Sequence, residues 1–210
     1  MHPKVHRALE DLAASGTPVF ALLSPLNTAA CSGFAGSDGR QAGRTAGWAM
    51  SRFAPSGGEM GILIGSHRYI GQEDREAGFR SYMREYAPQM RLRDSLVYLD
   101  DPAVAYEAVQ ELLRAAPDLA GLYHCGGGVE GAVRALRESG RGRQILYICH
   151  EDTPYSKEGM MEGIVDLVLA TPVAEVAAAA VQAMERSLLG QPLDGLDLSC
   201  RFHVITPENS

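Results

Sequence analysis

Hydrogen-bonding side chains stand directly after several short apolar runs of this sequence. His124 follows one run, His150 and Glu151 follow the next, and Asp38 and Tyr69 come after two earlier ones. In an open α/β sheet, ligands bind beyond the carboxyl ends of the strands. If the runs are strands, these side chains suit a small polar ligand bound by many hydrogen bonds. For each residue the alternative is an ordinary solvated loop position.

Arg75 is the cationic candidate for the same kind of site. It lies in the first turn of a predicted helix, just after Glu73 and Asp74. A cation there opposes the helix dipole, so its planar fork of donors could instead reach a ligand. A local ion pair with Glu73 or Asp74 would contribute little to stability. Spacing alone leaves the two interpretations equally open.

The segment YHCGGGVEGAV, residues 123–133, fits the dinucleotide-binding pattern G-x-G-x-x-G. It follows an apolar run, opens a predicted helix, and has Glu151 twenty residues beyond its last glycine. However, at least three predicted strands precede it, whereas the pattern normally follows the first strand. Glu130 would also sit in the first helical turn, where it disfavours a pyrophosphate. A glycine-rich turn with another role is the favoured interpretation.

Neither a nucleophile nor a metal centre is indicated. The chain has no G-x-S-x-G elbow, and the neighbours His124 and Cys125 would point to opposite faces of a strand. His67, His124 and His150 could meet Glu151 above the sheet, but they lack the close spacing of metal ligands. We therefore expect no catalytic residues, no metal and no cofactor.

Composition and charge narrow the class of protein further. The 210 residues include 19 basic and 26 acidic ones, for a net charge of −7, and no Lys/Arg block stands out. The chain alone therefore has little electrostatic basis for binding DNA. The four cysteines form no C-x-x-C pair, which favours reduced thiols and a cytoplasmic location. No apolar run is long enough to span a membrane, so no membrane partner is expected.

Apolar runs alternate with amphipathic stretches along the chain. This order predicts a parallel sheet covered on both faces by helices. The strands are expected within residues 18–24, 33–38, 60–66, 95–101, 119–125, 144–152, 165–171 and 199–207. The helices are expected within residues 5–16, 39–54, 72–87, 103–117, 129–140, 156–164 and 172–190.

Several segments, in order and over nearly the whole chain, are similar to motifs of one family. GSDGRQAGRTAGWAM resembles the segment D-N-x-x-A-G-R-x-A of the lactose-repressor (LacI) family and its periplasmic sugar-binding relatives. EDREAGFRSYMRE resembles their R-x-x-G-F helix, and GLYHCGGGVEGAVRAL their Y-N-x-G-G-G-x-x-G turn. HEDT, GIVDLVLATPVAEVAAAAV and the closing ITPENS resemble three later family segments. Together these matches point to one family, although each is short.

The resemblance implies a periplasmic-binding-protein-like type I fold with two lobes of parallel sheet flanked by helices. Residues 1–57 and 172–190 would form the N-terminal lobe, and residues 58–171 and 191–210 the C-terminal lobe. The glycine turn would lie at the mouth of a pocket for a small polyhydroxylated effector. The residues implied for binding it, with Asp38 and Arg75 on opposite sides of the cleft, are Asp38, Tyr69, Arg75, His124, His150 and Glu151.

Two positions depart from the family pattern. His124 stands where the family has asparagine, and Ala170 where it has glutamine. The family normally has two more βα units before residue 5, so the first lobe is expected to be incomplete.

The implied function is that of the effector-binding domain of a LacI-type transcriptional regulator. Such a chain would not be an enzyme, would form a homodimer, and would bind DNA only through a missing N-terminal domain. The alternatives are the solute-binding protein of an ABC sugar transporter and a nucleotide-dependent enzyme.

Overall fold

A computed structural model describes residues 2–193 and 198–210. The chain forms two compact units. Unit 1 comprises Met1–Asp38, Arg68–Gly71 and Thr171–Phe202, and unit 2 comprises Gly39–His67, Gln72–Ala170 and His203–Ser210.

Unit 2 is built on a six-stranded sheet in the order β4-β3-β5-β6-β7-β8. The first five strands in that order are parallel, and β8 pairs antiparallel with β7. The strands β3, β5, β6 and β7 are almost wholly buried, as expected for parallel strands covered on both faces. The bounds are β3 Glu59–Ile64, β4 Arg91–Val97, β5 Leu119–His124, β6 Leu146–His150, β7 Leu167–Ala170 and β8 His203–Ile205.

The helices of unit 2 begin and end where local chemistry favours it. Asp101 caps α4 by accepting hydrogen bonds from the backbone N–H groups of residues 103 and 104, and Pro102 follows it. Thr153 and Ser156 form a capping box at α6. Gly140 closes α5 in the left-handed region. The bounds are α2 Gly39–Phe53, α3 Ile70–Tyr86, α4 Pro102–Ala115, α5 Val129–Ser139 and α6 Pro154–Met161; the first two residues of α3 belong to unit 1.

Glycines allow α2 and α3 to approach closely. A Cβ atom on Gly43 would collide with the carbonyl oxygen of Arg75, and one on Gly78 would collide with that of Arg40. The two helices therefore touch through their backbones, as only glycine permits. This contact fixes the turn of α3 that carries Arg75. Beneath it, Phe79 stacks on Tyr123 of β5 with ring centroids 4.7 Å apart.

Unit 1 contains a two-stranded parallel sheet, β1 Phe20–Leu22 and β2 Gly33–Ala35, with the helices α1 Pro3–Ala14 and α7 Val173–Leu188. Gly36 and Ser199 form an isolated parallel bridge beside β2. A small apolar cluster joins Ala35 to Val176 and Ala180 of α7. This unit contains Asp38, one of the predicted ligand-binding residues, at the end of the segment that follows β2.

The structure confirms the predicted α/β class and the mostly parallel sheet. The last strand runs antiparallel, which the alternating order did not predict. The compact units are divided differently from the predicted lobes: residues 39–57 group with unit 2, and residues 68–71, 171, 191–193 and 198–202 group with unit 1. Because α2 packs tightly on α3, it groups with unit 2, which contains most of α3. Residues 194–197 of the predicted C-terminal lobe lie outside the described residues.

Candidate functional site

The strand order creates a switch point between β3 and β5. From β3 the chain crosses to β4 on one side, and from β5 it crosses to β6 on the other. The loops after these two strands therefore diverge and leave a crevice, which is where open α/β sheets bind ligands. Gly65 follows β3, and the glycine turn 126–128 follows β5. The candidate site of unit 2 lies at these ends.

Three glycines of the G-x-G-x-x-G pattern, Gly126, Gly128 and Gly131, each have a structural reason to be glycine. A Cβ atom on Gly126 would collide with the carboxylate of Asp100 and lie 2.7 Å from the Tyr98 hydroxyl. Gly128 has a φ of 72° and is the N-cap of α5. A Cβ atom on Gly131 would collide with the carbonyl oxygen of Pro102. The three glycines therefore allow a close side-chain approach, a turn and a close helix approach within unit 2.

Asp100 is the centre of a hydrogen-bond network at this edge of the sheet. Its Oδ1 accepts from the Gly127 amide at 2.9 Å and from the Tyr98 hydroxyl at 3.2 Å. Both of its oxygens accept from the side-chain amide of Gln72, at 3.0 and 3.1 Å. The Gln72 Oε1 in turn accepts from the Gly65 amide at 2.8 Å. One carboxylate thus ties the loop after β3 to the glycine turn after β5.

His124 is buried behind the turn, and its neighbours fix its tautomer. Nε2 lies 2.6 Å from the carbonyl oxygen of Gly127 and 2.7 Å from the Tyr98 hydroxyl, and Nδ1 lies 2.8 Å from the Tyr147 hydroxyl. A carbonyl only accepts, so Nε2 carries the proton and Nδ1 accepts from Tyr147. Burial lowers the pKa of His124 to about 4, against smaller opposing effects of Gly127 and Asp100. The ring is therefore neutral near pH 7.

Arg75 and Glu151 form the charged part of the site. Arg75 donates from Nη1 to the carbonyl oxygen of Cys125 at 2.9 Å and from Nη2 to Oε1 of Glu151 at 3.0 Å. The side chains are 18% and 38% exposed, so the pair is within reach of solvent. Neither Glu73 nor Asp74 is the observed partner. The arginine instead bridges the strand ends of β5 and β6.

His150 and Cys125 are buried, so their side chains do not reach solvent in unit 2. His150 Nε2 lies 2.8 Å from the Tyr123 hydroxyl. Burial, followed by the charge of Arg75, lowers the His150 pKa well below its ordinary value. Burial also raises the pKa of the Cys125 thiol far above its ordinary value. A thiol in that environment is not the thiolate that nucleophilic catalysis requires.

Asp38, Tyr69 and Ser37 belong to unit 1. Asp38 is exposed at the end of the β2 segment, and Tyr69 is 53% exposed. Within the described residues, Ser37 Oγ is the buried side-chain oxygen that lacks a hydrogen-bond partner. A buried hydroxyl left in that state costs free energy unless something satisfies it. A ligand hydroxyl is one group that could do so.

Backbone conformation singles out the same strand ends. Leu99 and Asp100 after β4, and Glu151 after β6, have φ values of 59°, 55° and 69°. A non-glycine residue in this region costs about 1–2 kcal/mol. Such residues cluster at ligand sites, where the surrounding structure holds them. Here they aim two carboxylates into the hydrogen-bond networks described above.

The predicted site residues fall into three groups. Arg75 and Glu151 are brought together; His124 and His150 are buried with partners in unit 2; Asp38 and Tyr69 are exposed in unit 1. Sequence reasoning missed Gln72 and did not include Asp100 in the site. Asp100 carried a signal, because it lies at the end of a predicted strand, but Gln72 lies in a predicted helix and carried none.

The described residues give no indication of a metal centre or a membrane span. Within residues 2–193 and 198–210, no group of three or more His, Cys, Asp or Glu side chains could hold a metal ion. In the same part of the chain, no helix is both long and apolar enough to cross a bilayer.

A fold built on this sheet, with polar residues at its switch point, defines a binding domain of the periplasmic type. Residues 2–192 match the family model described as "Periplasmic binding protein domain". The chain belongs to that family. No curated protein matches it in sequence at a significant level.

Solved structures of solute-binding proteins share the fold. An ABC transporter solute-binding protein from Burkholderia graminis C4D1M in complex with D-arabinose superposes with a TM-score of 0.91 at 23% identity, over 99% of this chain and 73% of that one. GanP, a glucose-galactose binding protein from Geobacillus stearothermophilus, gives 0.89 at 18% identity over 97% and 72%. A solute-binding protein from Agrobacterium vitis with bound D-fucose gives 0.90 at 18% identity over 97% and 71%.

Proposed function

We propose that this chain binds a small sugar or sugar-like polyol. The observation that carries the proposal is the Arg75 guanidinium, part-exposed at the switch point and held by Cys125 and Glu151. A guanidinium fixed in direction can donate its remaining N–H groups to the hydroxyl oxygens of a polyol. The sugars named for the similar structures, D-arabinose and D-fucose, support the same ligand class.

The proposed role of the domain is that of a solute-binding protein for an ABC transporter. The similar structures are described as transporter or sugar-binding proteins. The interpretation as a LacI-type regulator is supported only by the short sequence motifs. The role in an ABC transporter, which the sequence analysis gave as an alternative, is therefore better supported. Deleting the gene should then slow uptake of the bound sugar at micromolar concentration. A change in transcription with unchanged uptake would instead favour the regulator.

The domain is proposed to bind without catalysis and without a nucleotide. The Gly127 amide, which a pyrophosphate would need, already donates to the Asp100 carboxylate. That carboxylate would also repel phosphate. Neither NAD nor NADP should raise the thermal unfolding temperature of the protein. A rise of several degrees with either nucleotide would support the alternative function of a nucleotide-dependent enzyme.

Arg75→Ala and Asp38→Ala are each expected to weaken sugar binding about tenfold or more. Losing a hydrogen bond to a charged group costs roughly 1.5–3 kcal/mol, and the resemblance implies that both residues contact the ligand. Calorimetric titration with D-arabinose, D-fucose, D-glucose and D-galactose measures the loss.

Matched controls exist in both units. Arg84→Ala removes an exposed arginine from the same helix as Arg75, and Asp11→Ala removes an exposed carboxylate from α1 of unit 1. Both control variants should bind as the wild type does. Unchanged affinity in Arg75→Ala and Asp38→Ala would remove those residues from the site.

A further inference from the structure

The strand ends that form the candidate site in unit 2 are rich in carboxylates. Asp100 and Asp101 follow β4, Glu130 lies in the first turn after β5, and Glu151 and Asp152 follow β6. The cations among them are already matched. Arg75 pairs with Glu151 at 3.0 Å, and Lys157 pairs with Asp152 at 3.3 Å. These strand ends of unit 2 therefore carry five carboxylates and two paired cations, a net negative charge; Arg68, which follows β3, belongs to unit 1.

Three of the groups at these strand ends that could attract an anion are engaged with other acceptors. The Gly127 amide donates to Asp100. At the N-terminus of α4, two backbone N–H groups donate to the Asp101 carboxylate. At α6, the Ser156 amide donates to the Thr153 hydroxyl. The N-terminus of α5 has no side-chain cap, but Glu130 lies in its first turn. A helix N-terminus attracts anions through its unsatisfied N–H groups, and these caps reduce that attraction.

Glu151 has the main role in this arrangement, because it neutralises the one cation that reaches the site from α3. Arg75 presents its Nη2 group to the Glu151 carboxylate and its Nη1 group to a carbonyl oxygen. A ligand carboxylate or phosphate at Arg75 would stand close to Glu151. Like charges placed side by side cost several kcal/mol in a binding site.

We infer that the site selects neutral polyols and rejects sugar acids and sugar phosphates, with Glu151 as the residue that sets this specificity. This inference rests on the proposed sugar-binding function. Neutral hydroxyls can donate to Glu151 and accept from Arg75 at the same time, so a polyol keeps the pair intact. The carboxylate or phosphate group of an anionic sugar only accepts hydrogen bonds, so it can use the arginine but is repelled by the carboxylates around it.

Calorimetric titration with matched ligands tests the inference. The first set is D-galactose, D-galacturonate and D-galactose 6-phosphate; the second is D-glucose, D-glucuronate and D-glucose 6-phosphate. In the wild type, the acid and the phosphate should each bind at least about tenfold more weakly than the neutral sugar of the same set. Raising the ionic strength should narrow the gap, because salt screens exposed charges.

The variant Glu151→Gln keeps the length of the side chain and removes its charge. The ratio of neutral to anionic affinity should fall at least about tenfold, because Arg75 then becomes an uncompensated cation. Glu138→Gln is the matched control. Glu138 also accepts from an arginine, Arg134, at 2.9 Å, but lies at the opposite end of α5. Its substitution should leave the ratio unchanged.

The outcomes separate this inference from the function on which it rests. If the wild type binds an acid or phosphate as tightly as the neutral sugar, the charge selection is wrong while sugar binding stands. If the wild type discriminates and Glu151→Gln discriminates equally, Glu151 does not set the specificity. If no neutral or anionic sugar of either set binds, the proposed function fails, and the inference fails with it.

Discussion

Replacing Gly43 by alanine is expected to lower the thermal unfolding temperature of unit 2 by roughly 2–12 °C. The new Cβ atom would collide with the carbonyl oxygen of Arg75 and lie 2.8 Å from both its carbonyl carbon and the Phe79 amide nitrogen. Backbone atoms on a packed helix cannot move aside as a flexible side chain can. Overpacking costs about 1–3 kcal/mol, and each kcal/mol shifts the midpoint of a chain this size by about 2–4 °C.

The same substitution should weaken sugar binding, because α3 must shift at the turn that carries Arg75. Gly71→Ala is the matched control on the same helix. Its Cβ atom would lie 3.4 Å from the Ser24 hydroxyl, an ordinary contact, and alanine favours a helix by up to about 1 kcal/mol. Its midpoint should stay level or rise. Equal midpoints for Gly43→Ala and the wild type would show that α2 and α3 can separate without cost.

The architecture could be predicted from the sequence because local pattern and global fold agree. Four of the strands are almost wholly buried and correspond to apolar runs in the sequence. Several helices have clear capping residues such as Asp101 and Thr153. The lobe bounds were harder to predict. Gly43 and Gly78 look like ordinary helical glycines in the sequence. Only the structure shows that each one lies directly against a backbone carbonyl oxygen of the facing helix.

The site was predicted in part, for reasons that are also physical. Strand-end position brought Glu151 to attention, and the position of a cation in a first helical turn brought Arg75. Their pairing joins residues 76 positions apart, so sequence spacing offered only the nearer acids, Glu73 and Asp74, as ion-pair partners and left a ligand equally possible. Burial also explains why the roles of His124 and His150 could not be predicted from the sequence. A histidine at a strand end points either into the core or toward solvent, and tyrosines on neighbouring strands decide which.

The stability of unit 2 is expected to fall as pH drops from about 6.5 to about 4. His124 has a pKa of about 4 in the folded chain, lowered by burial, and an ordinary value near 6.5 when unfolded. Between these values the unfolded chain binds more protons, so acid favours unfolding. The difference amounts to roughly 3 kcal/mol at the acid end of that range. His150, whose pKa is also lowered by burial, acts in the same direction.

Urea unfolding at pH 8 and pH 4.5, followed by tryptophan fluorescence, measures this effect. The sequence has one tryptophan, Trp48, and it lies on α2 of unit 2. His124→Gln replaces the titrating ring with an amide that can still accept from Tyr147 and donate to Gly127. This variant should lose about 2–3 kcal/mol less than the wild type on acidification. His6→Gln, at an exposed position of α1, should behave as the wild type does. An equal acid loss in His124→Gln and the wild type would show that the buried imidazole is not what makes unit 2 sensitive to acid.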